Sequence, residues 1–277
     1  MADWWQHIPE SIDPIVLAAG SFSLRWYAVF FLLGWMTAFG FLFRKVRKGV
    51  APLGEESFWD IAIASFVGAM VGGRLGYAVF YDPSLFAHPI SLVSPFDASG
   101  SWSGIWGMSF HGALVGVIVA SFFFARRDRI DFLSLTDFLV PAVPIAVFFG
   151  RVGNFFNLEL FGRMTDVWWG MYFPGVDGLR HPSQLYEAFF EGMVLFGILS
   201  VMEKKTLRKG FLSASFLFLY GFMRFLLEFF REPDAGLAFF FGWMTRGQAL
   251  SLGMIAVSLV WLGFPRSRDD GILKRRG

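Results

Sequence analysis

The chain has 277 residues, of which 55% are hydrophobic, 19% aromatic and only 17% charged, with a formal net charge of +2. A soluble domain carries about a quarter charged residues to solvate its surface, so these figures point to a membrane protein, while 37 Phe and 11 Trp exclude a disordered chain. The absence of Cys removes disulfides, thiolate zinc sites and covalent catalysis by a thiol of the chain's own.

In chain order, Met1 to Ser23 comes first. The first basic residue is Arg25, so this stretch lacks the charged start of a secretory signal and is expected to stay on the mature protein. Trp4, Trp5 and the apolar run Ile15 to Ala19 suit it to the outer membrane interface. A bilayer core needs roughly 20 mostly apolar helical residues. Seven segments meet that need: Leu24 to Phe43, Asp60 to Tyr81, Gly104 to Ala125, Phe132 to Gly150, Pro182 to Met202, Phe211 to Phe230 and Gln248 to Phe264. Connections are short and no internal repeat appears, so residues 1–277 read as one membrane domain.

Lys and Arg accumulate in loops kept on the cytoplasmic side. Basic clusters follow the first, third, fifth and last spans, at Arg44 to Lys48, Arg126 to Arg129, Lys204 to Lys209 and Arg266 to Arg276. They hold 16 of the 24 basic residues. Every second loop is therefore basic, which places the N-terminus outside and the C-terminus inside. The eight basic residues that remain, Arg25, Arg74, Arg151, Arg163, Arg180, Arg224, Arg231 and Arg246, are all arginine. A guanidinium offers a planar fork to phosphate or carboxylate. As a set, arginines on the outer half of the membrane look chosen for an anion, although any single one can equally pair with an internal acid or reach the headgroups.

Ionisable groups within apolar sequence are expensive, and three places concentrate them. The first is Gly150-Arg151-Val152-Gly153-Asn154-Phe155-Phe156-Asn157-Leu158-Glu159, closed by Gly162 and Arg163. Its glycines permit close backbone approach or positive φ, and its cation, amides and carboxylate exceed what a helix cap needs. The second is the sixth span, where Tyr220, Arg224, Glu228 and Arg231 recur at spacings of four, four and three on one helical face. One carboxylate cannot neutralise two guanidiniums, so positive charge is left over unless another span supplies an acid. A purely structural ion pair accounts for Glu228 about as well as a functional one.

The third place is His111, near the outer end of the third span, the one histidine expected within a span. Imidazole is the side chain most readily poised to accept a proton near neutral pH, but a lone helical histidine is more often a hydrogen-bonded packing residue. Around these, Gln184, Glu187 and Glu191 share a face of the fifth span and could neutralise the arginines. Gly68, Gly72 and Gly76 beside Arg74 suit close helix packing. Trp168, Trp169, Tyr172 and Phe173 suit an interfacial belt. No P-loop, paired metal histidines or nucleophile elbow is present, and the inner basic clusters are explained by topology rather than nucleic-acid binding.

These clusters resemble the prolipoprotein diacylglyceryl transferases of bacterial membranes. The run from Gly150 to Arg163 looks like that family's signature. His111-Gly112, the run Arg180 to Glu187, the stretch Arg224 to Asp234, and Gly72-Gly73-Arg74-Leu75-Gly76-Tyr77 fit in order and spacing. Ala113 stands where many members have a second Gly.

The resemblance implies an all-α fold of seven transmembrane helices in the bacterial inner membrane, N-terminus periplasmic and C-terminus cytoplasmic, with the active site toward the periplasm. It implies transfer of a diacylglyceryl group from phosphatidylglycerol to the lipobox Cys thiol of prolipoproteins, with glycerol phosphate released. His111, Arg151 and Arg224 are implied as essential, Asn154 and Gly162 as signature residues, and Tyr27, Tyr220, Glu159 and Glu228 as important neighbours; Arg74 joins the lipid-binding set. No metal or nucleotide cofactor is expected, because the donor lipid carries its own leaving group. The partners expected are phosphatidylglycerol, prolipoprotein signal peptides and the bilayer. An anion carrier is the rival reading, since it would also put arginines into a helix bundle.

Overall fold

A computed structural model of the chain describes residues 2–20, 22–87, 89–92, 94, 107–205, 208–232 and 244–263. Helix dominates them. The long elements are α1 (Trp26–Arg47), α2 (Glu55–Phe80), α3 (Phe110–Arg127), α4 (Phe132–Phe156), α5 (Ser183–Glu203), α6 (Phe211–Leu227) and α7 (Arg246–Gly263). Two small hairpins join them, β1 (Ile15–Ala19) with β2 (Phe22–Arg25) and β3 (Met171–Tyr172) with β4 (Leu179–Arg180). Five helices, α1, α2, α4, α5 and α7, are long and apolar enough to cross a bilayer, and α6 is a shorter apolar helix. The chain is an all-α membrane protein, and large apolar side chains such as Phe80, Phe123, Met193 and Val260 face outward. Residues 104–106 of the third expected span, residue 264 of the seventh, His88, residues 233 and 234 and the basic cluster after 265 lie outside the described residues.

Two compact units form. The one made of Leu17–Ser23 and Phe43–Leu135 is built on α2 against α3. The stripe of small residues works as expected: a Cβ on Gly68 would lie 2.6 Å from the Gly116 carbonyl oxygen, and one on Gly76 would lie 2.7 Å from the Gly112 Cα. Only backbone fits in that seam, so the helices meet along glycine. Ser109 caps α3, its hydroxyl accepting from the Gly112 N–H at 3.3 Å. The helix thus begins at Phe110, with Gly107 to Ser109 non-helical, later than the span expected from Gly104. At its other end Arg127 binds both Asp60 and Asp128, and this guanidinium holds the Asp128 carboxyl below the usual carboxylate range.

The other unit takes in Met1–Val16, Leu24–Leu42 and Thr136–Gly277. In α4 the buried Pro141 and Pro144 replace helical donors, and Val140–Ala142 forms a 3-10 turn. Beyond it the helix continues to Phe156, six residues past the expected end at Gly150, and so carries Arg151 and Asn154 on its last turns. α5 is not uniform either: Ala188–Val194 is π-helical. This widened turn packs on α4 through Gly192, where a Cβ would lie 2.7 Å from Phe148 Cβ. Leu195 and Leu199 of α5 and Leu212 of α6 form the core below it. The start of α6 is capped from another helix, as the Asp137 carboxylate accepts from the N–H groups of Gly210 at 2.7 Å and Ser213 at 2.8 Å.

The N-terminal segment packs against an outer loop and keeps Trp4 and Ile15 to Leu17 exposed. Trp5 donates from its indole N–H to the Trp169 carbonyl at 2.9 Å, and His7 stacks on Tyr172 with ring centroids 4.8 Å apart. Residues 4–12 therefore fold onto the loop that carries β3 and β4, while Ile15–Ala19 is an exposed strand turning at Gly20, where φ is +61°. In that loop Trp168 is exposed, as a belt requires, but Phe173 is only 2% exposed and packs with Phe155 and Met171. It is core, because the loop folds back over the end of α4.

Candidate functional site

Among the described residues, three arginines and three glutamates converge in the larger unit. Arg151 of α4 and Arg224 of α6 both reach Glu187 of α5. Arg151 Nε lies 2.8 Å from Glu187 Oε2, and Arg224 Nη1 bonds Oε1 of the same carboxylate. Arg224 Nη2 also bonds Glu228 Oε2 at 2.6 Å, one turn along its own helix. Arg231 Nη1 stands 3.8 Å from Glu187 Oε1. Glu191 completes the group, its two oxygens 3.7 Å from Arg151 Nη2 and from Arg224 Nη1. The acid that the sixth span lacked is therefore supplied by α5.

The three carboxylates sit deepest. Glu187 and Glu191 side chains are 1% and 0% exposed, against 19% for Arg151 and 13% for Arg224. Ion pairs of this kind survive burial only with further hydrogen bonds. Glu228 has one, its Oε1 accepting from the buried Thr245 hydroxyl at 2.9 Å. Thr245 and Gln248 in turn form a capping box at the start of α7: the Thr245 N–H donates to Gln248 Oε1 at 3.0 Å and the Gln248 N–H donates to Thr245 Oγ1 at 3.1 Å. Gly247 lets this turn close on the carboxylate, since a Cβ there would lie 2.5 Å from Glu228 Oε1.

Beside the cluster the segment after α4 is tightly tied. Asn154 donates to Glu159 Oε1 at 2.8 Å, and Asn157 donates to the same oxygen at 3.5 Å. The buried Gln184 amide donates to the Glu159 carbonyl at 2.6 Å. Leu158 and Leu160, on either side of Glu159, both adopt φ of +59°. Left-handed backbone at a branched residue costs about 1–3 kcal/mol and marks a site held by its surroundings. Sequence reasoning had offered Gly150, Gly153 and Gly162 for positive φ, but none of them adopts it. Two serve close approach instead. A Cβ on Gly153 would lie 3.3 Å from Tyr27 Cα, and one on Gly162 would lie 2.5 Å from the Phe230 carbonyl oxygen and 2.6 Å from His181 Cβ.

Gly162 is the crossing point of three segments. Its N–H donates to the His181 carbonyl at 2.8 Å, it bridges to Arg231, and the Arg163 N–H donates to the Phe230 carbonyl at 2.9 Å. His181 Nδ1 lies 3.1 Å from the Tyr186 hydroxyl, which accepts from the Trp169 indole at 2.7 Å. Burial pushes the His181 imidazole down from its ordinary value.

Of the residues singled out from sequence, Arg151, Asn154, Glu159, Gly162, Arg224 and Glu228 lie in or against this assembly. Tyr27 packs over Gly153 and stacks on Phe31, while Tyr220 stacks on Phe216 one turn before Arg224. Arg74 and His111 belong to the other unit. Arg74 donates from Nε to the Leu92 carbonyl at 2.9 Å and from Nη1 to the Gly107 carbonyl at 3.2 Å, holding backbone next to the cap of α3. His111 is exposed in the first turn of that helix. Glu187 and Glu191 were read only as neutralising acids, although four-residue spacing in an apolar span already marked them. Thr245 and Gln248 were missed, and the pattern Thr-x-x-Gln before an apolar run was the available signal.

The model of the family described as prolipoprotein diacylglyceryl transferase matches residues 14–264. A phosphatidylglycerol–prolipoprotein diacylglyceryl transferase of Chlorobaculum tepidum is 42% identical over 273 residues, covering 96% of this chain and 94% of that relative. Enzymes of the same name from Wolinella succinogenes and Vibrio campbellii are 41% and 44% identical, over 96% and 91% of this chain and 98% and 90% of their own lengths.

Proposed function

The chain belongs to the prolipoprotein diacylglyceryl transferase family, and from that membership we propose that Arg151 and Arg224 grip the phosphate of a lipid donor during transfer. The protein is a membrane transferase that moves the diacylglyceryl group of phosphatidylglycerol to prolipoprotein. In the reaction as we read it, the thiolate of the lipobox Cys attacks the diacylglyceryl carbon bonded to the phosphate oxygen. The carbon–oxygen bond breaks, its electron pair stays on the phosphate, and glycerol phosphate leaves. Negative charge grows on that phosphate, where fixed guanidiniums stabilise it without reorganising.

The observation that carries this reading is the meeting of Arg151 and Arg224, from separate helices, on the one Glu187 carboxylate. Their separation is set in advance by an anion of the protein's own, so a phosphate that displaces it finds two forks already aimed. Asn154, Glu159 and Gly162 shape the neighbouring segment, Glu228 orients Arg224, and Tyr27 and Tyr220 wall the arginines. A free thiol has a pKa of roughly 8.5 and needs a base or a positive field near neutral pH. His111 takes that proton, and Arg74 fixes the backbone that presents it.

We place the single domain 1–277 in the bacterial inner membrane with seven spans, α3 and α6 added to the five helices that are long and apolar enough to cross. The N-terminus is periplasmic, the C-terminus cytoplasmic, and the site faces the periplasm, a reading supported by the basic loops that follow every second span. Metal and nucleotide play no part in this scheme, because the donor brings its own leaving group. Incubating purified protein with phosphatidylglycerol and a lipobox peptide tests it. The peptide gains the mass of one diacylglyceryl group as the lipid is consumed; an anion carrier leaves both unchanged.

A further inference from the structure

Among the described residues, Glu191 is the one acid of the cluster that accepts no hydrogen bond. Its side chain is fully buried, and neither carboxylate oxygen has a hydrogen-bond partner among the described residues. Its neighbours in the ionic cluster differ. Glu187 accepts from Arg224 through Oε1, while its Oε2 faces Arg151 Nε at 2.8 Å as an ion pair without a hydrogen bond, and Glu228 accepts from Arg224 and Thr245. The guanidiniums of Arg151 and Arg224 stop 3.7 Å short of Glu191, one on each oxygen. The groups facing it are Arg151 from α4, Tyr220 and Arg224 from α6, Arg231 beyond α6, and Glu187 on its own helix.

The charge balance gives this carboxylate its meaning. Among the described residues, three guanidiniums against three carboxylates sum to zero when all are ionised, and a neutral cluster exerts no net pull on an anion that must shed water to arrive. One proton leaves the cluster at +1, the complement of a phosphodiester's single negative charge. The carboxylate that bears the proton at least expense is the one whose charged form accepts no hydrogen bond.

We propose that binding of a phosphodiester anion at the Arg151 and Arg224 pair is coupled to uptake of one proton from water, and that Glu191 is the positioning residue that takes it. The proton returns to water when the cluster empties. This rests on the reading that these arginines hold the lipid phosphate.

The test uses the purified full chain in detergent with dioctanoyl phosphatidylglycerol as probe. Calorimetric binding in two buffers of different ionisation enthalpy counts the protons. Wild type takes up close to one proton per lipid, and its Kd weakens up to tenfold per pH unit where Glu191 is ionised in the free protein. Glu191→Gln, which mimics the protonated group, takes up none, and its Kd is flat with pH. Wild type binding without proton uptake, or uptake that persists in Glu191→Gln, overturns the coupling while leaving the phosphate reading intact. Should that variant not fold, infrared difference spectra of wild type decide: a protonated-carboxyl band appears on lipid addition, and its absence overturns the proposal. Arg224→Gln is the separate check on the underlying reading, for lipid bound with wild-type affinity by that variant takes both proposals down.

Discussion

Arg151 and Arg224 hold opposite oxygens of one carboxylate, Glu187, although the two arginines lie 73 positions apart and on different helices. Helix α5 therefore acts as a spacer that fixes the distance between two forks. Removing the spacer leaves two guanidiniums facing each other in a poorly solvated place. Glu187→Gln is expected to destabilise the protein by about 3 kcal/mol, the scale of an uncompensated buried charge, read as a lowered unfolding temperature in detergent together with lost turnover.

Arg224 bonds two acids through two nitrogens. A lysine supplies the charge but only one point of contact. Turnover of Arg224→Lys should fall roughly 10- to 100-fold, corresponding to one charged hydrogen bond of about 1.5–3 kcal/mol. Unchanged transfer to a lipobox peptide would show that charge alone suffices.

Thr245 joins two tasks, capping α7 and holding Glu228. Thr245→Val keeps the shape and removes the hydroxyl. Its expected cost is about 1 kcal/mol in stability, with a fall in kcat, and Thr245→Ser should restore both. A valine variant with wild-type kcat would separate the cap from the arginine cluster.

Glycine at 162 is a steric demand rather than a conformational one, since its φ is ordinary and its Cβ position is filled by the Phe230 carbonyl and His181. Gly162→Ala should disconnect the segments carrying Arg163, His181 and Arg231 and abolish measurable transfer. Gly253→Ala provides the contrast: nothing lies within 4 Å of its Cβ position, and the change should be neutral or stabilising by up to about 1 kcal/mol.

The pH dependence of stability has a contribution with a defined sign. Burial lowers the His181 imidazole, so the folded state favours the neutral ring. Below an unfolded pKa of roughly 6.5 the unfolded chain binds a proton that the folded chain resists. Stability is thus full above that value and is lost as pH falls through it toward the folded pKa. Thermal unfolding between pH 7 and 5 should show a shallower acid loss in His181→Gln than in wild type.

Composition and the spacing of apolar runs were enough to establish a helical membrane protein, because lipid demands long apolar helices whatever their neighbours. The family motifs were equally legible, since the run around Arg151 and Asn154 and the face bearing Arg224 and Glu228 are local patterns. The acids of α5 could be listed as possible partners from their spacing, but which carboxylate met which guanidinium is a matter of packing between helices. Nothing local foretells that α4 runs on to Phe156, that Ala188–Val194 widens into a π-turn, or that Leu158 and Leu160 rather than the glycines take the left-handed backbone. Those features arise where Gly192 presses on Phe148 and where Gln184 and Asn154 tie down Glu159. Local sequence sets which groups are available and what each costs to bury; only the contacts between distant segments decide which of those costs is met and which, as at Glu191, is left open.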